Sequence, residues 1–199
     1  LMKAYVLSPK ELAEEAKMLA DCGLDEITIM DSAGTMMPHE TEAYTKELVA
    51  AVDIPVAFHG HNNLGLSVAN AIAAAEAGAT VFDCGLLGMA RSAGNCATEL
   101  LVATFQRLGY FKDIDLYKLL AFLDGELIPA MEEYNYHVAV KPFDLILGLA
   151  GCHSSFTKRF QNIADEMGVP LYQLIVEVSK RDQKAPSEEL IRQIAADLV

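Results

Sequence analysis

No run of residues in this chain approaches the roughly 18 consecutive apolar positions of a membrane-spanning helix, and its first residues lack the charged-then-apolar layout of a secretory signal. A membrane partner is therefore not expected. Basic residues are scarce, 15 lysines and arginines against 28 acidic residues for a formal net charge of −13. That balance argues against a nucleic-acid partner. The four cysteines (Cys22, Cys84, Cys96 and Cys152) are widely separated and form no CxxC pair. This argues against a disulfide framework or zinc ribbon and favours reduced thiols in a cytoplasmic protein. Apolar residues, by contrast, are plentiful, at 52% of 199 residues. A chain of that size can bury a core for one domain, or one and a half.

The first 109 residues repeat one grammar. A β-like run, "LMKAYVL" (1–7), leads into the cap Ser8-Pro9 and a helix with Leu12, Ala16, Leu19 and Ala20 at helical spacing. "DEITIMDSAG" (25–34) reads as a strand, followed by a helix over 38–52 with Leu48 and Val49 facing inward. "IPVAFHGHNN" (54–63) is the third strand, with a small-residue helix over 66–78 that ends at Gly78. "ATVFDCGLLG" (79–88) is the fourth, with a helix over 94–108. The period of about 25–28 residues is that of a βα unit, and near-continuous apolar strands belong to a parallel sheet covered on both faces. From residue 115 the pattern becomes helical, over 115–134, 142–147, 151–167, 170–180 and 186–198. The expected division is 1–112 for the α/β part and 113–199 for a helical C-terminal part.

Polar residues gather where strands end: Asp31 and Ser32 on the second, His59 and His61 on the third, and the turn Gly88 to Asn95 after the fourth. Ends of parallel strands share one face, the usual place for a site. Side chains two apart on a strand point the same way, roughly 7 Å apart at Cα, so His59 and His61 can converge on one ion. Blander readings stand beside this one. A strand-end histidine can be an ordinary hydrogen-bonded residue, Asp31 a cap, and Gly94-Asn95 a helix N-cap. Imidazoles with carboxylate and amide oxygens, and no nearby thiolate, suit Mn²⁺, Mg²⁺, Fe²⁺ or Zn²⁺ in an open site. Such an ion would act as a Lewis acid on a carbonyl compound.

The stretch "FHGHNNLGLSVANAIAAAEAGATVFDCGLLGMARSAGNCATELLVATFQRLG" and the tail "LGLAGCHSSFTKRF" closely resemble the metal-dependent aldolases of the 4-hydroxy-2-oxovalerate aldolase type. These belong with HMG-CoA lyase and isopropylmalate synthase. The resemblance implies the C-terminal half of a TIM (β/α)₈ barrel, about four parallel βα units, followed by a helical domain. It implies a divalent metal, Mn²⁺ foremost with Mg²⁺, Co²⁺ or Zn²⁺ as alternatives, held by His59 and His61. Ser32 and His59 would contact substrate, with Asp31 and Asn95 behind them.

The reaction implied is retro-aldol cleavage of a 4-hydroxy-2-oxoacid to pyruvate and an aldehyde. The helical domain would pack against an acylating aldehyde dehydrogenase. Two departures stand out. No "RD…H" segment supplies the third ligand, arginine and base, so the chain is expected to lack an upstream half or to self-associate. His153 stands where the family has a substrate-side tyrosine, which makes it a candidate catalytic and substrate-binding residue. An acyl-CoA lyase or synthase, or a non-catalytic binding remnant, are the rival expectations.

Overall fold

The computed structural model describes residues 1–134, 136 and 142–199. Three strands, β1 (Ile27–Asp31), β2 (Val56–Gly60) and β3 (Val81–Asp83), form a parallel sheet in that order. Ile27 lies opposite Val56, and His59 opposite Asp83. Every residue of β2 is buried, in keeping with a central strand between two neighbours that α2 and α3 pack against. The helices α1 (Pro9–Ala20), α2 (Pro38–Ala51), α3 (Ser67–Glu76) and α4 (Thr98–Arg107) follow one another around the sheet. Leu12, Ile29, Leu48, Phe58 and Phe105 centre the core between them.

Local chemistry sets the ends of these elements. Ser8 and Glu11 form a capping box ahead of α1, with Pro9 in the first turn, where its missing N–H costs nothing. Gly78, at φ 109°, takes the left-handed position just past α3.

Four expectations from sequence are corrected. Residues 1–7 form no full strand: Met2 alone bridges Met30 in parallel, and a 3₁₀ turn (Ala4–Val6) follows. Lys3 adopts φ 55° and gives its N–H to Ser32 Oγ instead of a strand neighbour, which ends the ladder. Val49 is 39% exposed although Leu48 is buried, because adjacent helical residues sit about 100° apart and cannot both face one core. Leu19 is likewise exposed. Finally, α4 begins at Thr98, not at 94. Asn95 pairs with His61 across an isolated bridge, and Gly94 lies so close to Gly88 O that a Cβ would come within 2.2 Å of it.

The C-terminal part is helical, as its pattern indicated. A helix α5 (Leu116–Phe122), a π-helical turn (Leu123–Leu127) and α6 (Ile128–Glu132) occupy the stretch expected to be one helix. Pro129 has no N–H to give to the preceding turn, and the ladder shifts there. After it come α7 (Pro142–Ala150), α8 (Thr157–Met167), α9 (Leu171–Ser179) and α10 (Glu188–Asp197). They enclose a second core of Leu147, Phe160, Ile163, Leu174, Val178 and Ile191. Residues 137–141, in the expected gap before α7, lie outside the described residues. No helix among the described residues is long and apolar enough to cross a membrane.

The two cores meet behind the strand ends. Gly148 of α7 sits directly on Asn63 and Leu64. The Lys3 ammonium donates to Lys184 O at 2.6 Å and lies 4.8 Å from the centre of the Phe156 ring.

Candidate metal and substrate site

The C-terminal ends of β1 and β2 open onto a cleft of about 190 Å³. Ser32, His59, His61, Asn95 and His153 all line it, with Arg91 and the apolar Met2, Met30 and Ala90. The alternation of a strand explains the selection. Met30 and Ser32 face the cleft, and Asp31 between them faces away.

His59 is 8% exposed, and its Nδ1 lies 2.6 Å from Asp83 Oδ2. A carboxylate only accepts, so Nδ1 carries a proton, and in the neutral ring it is Nε2 that offers a lone pair to the cleft. The parallel register that sets Asp83 opposite His59 produces this contact. The two imidazoles stand edge to face, with centroids 5.3 Å apart and an interplanar angle of 67°. Burial, and then the neighbouring His59, His153 and Arg91, push the His61 pKa down to about 4. His61 is therefore neutral at physiological pH, the form that ligates metals. Its buried Nδ1 and the buried Oδ1 of Asn95 have no hydrogen-bond partner among the described residues.

Ser32 Oγ accepts the Lys3 N–H at 2.9 Å, which leaves its own proton to give. His153 is buried and caps the 3₁₀ turn Ser154–Phe156, its Nδ1 accepting the Ser155 N–H at 3.2 Å. A backbone N–H can only donate, so Nδ1 is unprotonated and Nε2–H is the donor. Burial, and the Lys3 and Arg91 charges, lower its pKa and hold it neutral. Asp31 takes the capping part, the blander of its two expected readings. Fully enclosed, it accepts Thr35 N–H on Oδ1 and Met36 N–H on Oδ2, each at 3.0 Å, and closes the turn after β1. Burial raises its pKa to about 6, against the pull of those N–H groups.

The donor set fits part of a divalent-metal shell: two imidazoles side by side and one buried amide oxygen without a partner among the described residues. Among the described residues, no group of three or more His, Cys, Asp or Glu side chains is placed to hold an ion. Sequence reasoning missed Asp83 and Arg91. Asp83 ends the run "TVFD" and could have been found by aligning strand ends. Arg91 could not, since the course of its turn depends on Leu87, Gly88, Ser92 and Gly94 all taking positive φ.

Residues 1–124 match the HMGL-like family model. The chain belongs to the HMGL-like family. Residues 138–199 match a second model, the DmpG-like communication domain. A 4-hydroxy-2-oxovalerate aldolase of Pectobacterium atrosepticum is 39% identical over 199 residues, all of this chain and 57% of the relative. One from Geobacillus genomosp. 3 is 35% identical over 198 residues, 58% of its length. This HMGL-like chain thus spans a little over half the length of the curated relatives it matches. Among solved structures, the carboxyl transferase domain of Rhizobium etli pyruvate carboxylase superposes with a TM-score of 0.72 at 16% identity, covering 96% of this chain and 34% of that one. An HMG-CoA lyase from Bacillus subtilis gives 0.59 at 24% identity, covering 66% and 45%. At those identities both likenesses speak to fold alone. The fold is α/β, a partial barrel of parallel strands followed by a helical portion.

Proposed function

We propose that this chain carries the metal-binding side of an aldolase that cleaves a 4-hydroxy-2-oxoacid to pyruvate and an aldehyde. One observation carries the reading: His59 and His61 stand side by side on the cleft that Ser32 also lines, with Asp83 fixing the His59 tautomer. The names of the relatives support it. His59 and His61 would hold a divalent ion, Mn²⁺ in our reading, with Asn95 Oδ1 beside them. The bound ion supplies Lewis-acid polarisation of the 2-oxo group.

In this reading the chain's other residues position the substrate. Ser32 gives its hydroxyl proton to the substrate carboxylate. The His153 Nε2–H, in place of the family's tyrosine, donates toward the oxygen-bearing aldehyde end. Met2 and Met30 limit water on the remaining wall. Cleavage breaks the C3–C4 bond, turns the 4-hydroxyl into the aldehyde carbonyl and returns a proton to C3. The activity is proposed for a protein of the relatives' length, working in the cytoplasm. Its helical portion, residues 138–199, would dock an acylating aldehyde dehydrogenase that takes the aldehyde.

The test is pyruvate release from 4-hydroxy-2-oxopentanoate with Mn²⁺ present and no CoA thioester, followed by lactate dehydrogenase and NADH. We expect turnover that His59→Ala abolishes. Pyruvate formation indifferent to His59→Ala, or cleavage seen only with an acyl-CoA substrate, would refute it.

A further inference from the structure

The cleft contains a cation that the proposed reaction does not use. In a chain with 28 acidic and 15 basic residues, no acidic side chain among the described residues lines this cleft, and Arg91 brings a permanent positive charge to it. The nearby carboxylates are committed elsewhere, Asp83 to the far nitrogen of His59 and Asp31 to the Thr35 and Met36 amides. The Arg91 guanidinium makes no ion pair or hydrogen bond with any described residue.

Its backbone, by contrast, is held. Gly94 N–H donates to Arg91 O at 3.1 Å, and Gly94 O accepts Asn62 N–H at 2.9 Å. Asn63 Nδ2 donates to Ser92 Oγ at 2.7 Å. The loop carrying Arg91 is thus laced to the loop that follows His61. Arg91, His61 and His153 line one and the same cleft.

An exposed arginine is unremarkable by itself. Here it stands in a cleft with no carboxylate among its described lining residues, in a protein that is otherwise strongly acidic. The sheet order adds the direction. Ser32 follows β1, and the loop of Arg91 follows β3, with the histidines of β2 between. At a strand spacing of about 4.8 Å, the outer two ends lie about 10 Å apart. A 2-oxoacid whose own carboxylate meets Ser32, laid across His59 and His61, therefore points its other end toward the Arg91 side. A five-carbon monocarboxylate would bring only a methyl group there. A second carboxylate would offer two oxygens to a planar fork of N–H donors.

We propose that Arg91 receives a second carboxylate at the aldehyde end of the substrate, so that the preferred 4-hydroxy-2-oxoacid is a dicarboxylate. This deepens the aldolase reading and rests on it.

Two compounds differing only at C5 test it: 4-hydroxy-2-oxopentanoate, ending in methyl, and 4-hydroxy-2-oxopentanedioate, ending in carboxylate. The expected result is a kcat/KM at least tenfold higher for the dicarboxylate, and a ratio of the two that falls at least tenfold in Arg91→Ala. A ratio unchanged in Arg91→Ala overturns the proposal. So does an equal loss on both compounds, which would place Arg91 on the carboxylate they share. Calorimetric titration with the uncleavable pair 2-oxopentanoate and 2-oxopentanedioate separates this from the parent reading. Tighter binding of the dicarboxylate that Arg91→Ala removes supports the subsite even where no pyruvate forms. Pyruvate release from both substrates with no dependence on Arg91 leaves the aldolase standing and sinks the subsite.

Discussion

Replacing Gly148 with alanine pits two effects of opposite sign against each other. Gly148 lies inside α7, where alanine is favoured over glycine by about 1 kcal/mol. Its backbone conformation suits any residue, so propensity alone would make the variant more stable. Packing opposes this. An added Cβ would stand 2.6 Å from Asn63 Cβ and 3.2 Å from both Asn63 C and Leu64 Cδ2. Carbon atoms prefer separations of about 3.5–4.0 Å. The leucine methyl can swing aside, but the asparagine Cβ and carbonyl carbon belong to or adjoin the main chain and cannot. Overpacking of this kind costs about 1–3 kcal/mol; a 2.6 Å approach to an atom fixed on the main chain takes the upper part of that range, about 2–3 kcal/mol, and leaves a net loss of about 1–2 kcal/mol after the helix gain. For a chain of this length that lowers the thermal midpoint by about 3–6 °C. Urea unfolding followed by circular dichroism reads the change. Mn²⁺ titration reads a second effect, because the displaced residues lie two and three positions after His61, and we expect weaker binding. An alanine variant as stable as the parent, or more stable, would mean that α7 does not press on residues 63 and 64.

Three further outcomes follow from the geometry. Asp83→Ala should weaken Mn²⁺ binding about 10–100-fold through loss of His59 orientation, with little change in unfolding midpoint, since the Asp83 side chain is 57% exposed; unaltered affinity by calorimetry would refute this. Asp31→Ala leaves the N–H groups of Thr35 and Met36 without their acceptor in the interior, and a loss of about 2–4 kcal/mol in urea unfolding is expected. Burial raises the thiol pKa of Cys96 to about 12 and of Cys152 to about 11. Both are therefore protonated at pH 8 and poor nucleophiles. Mass spectrometry after brief alkylation of the native protein should find exposed Cys22 labelled and those two untouched until urea is added.

What could be read from sequence was whatever depends on period and strand direction. The apolar runs at 27–31 and 56–60 became adjacent parallel strands, and the two-residue spacing of His59 and His61 brought their rings together. Ser32 and His153, 121 positions apart, were placed at the same cleft by resemblance, a relation no local pattern carries. Propensity and periodicity could not foresee a hydrogen bond that diverts the chain. Lys3 gives its N–H to Ser32 and ends a strand that its neighbours favour. Asp31 was grouped with the site because it adjoins Ser32, yet alternation along β1 sends it to the opposite side. Arg91 stayed hidden for a related reason: a turn with four left-handed residues has no repeat from which its path can be inferred.

The complete enclosure of β2 limits how this protein could change its substrate. All five residues of that strand are buried, so no larger or smaller group can be traded there without disturbing the interior or the histidine that faces the cleft. Evolution, or an engineer, is left with two editable margins, the turn from 86 to 97 and the short stretch from 151 to 156. New preferences would be written on those borders while the histidine-bearing floor between them stays fixed.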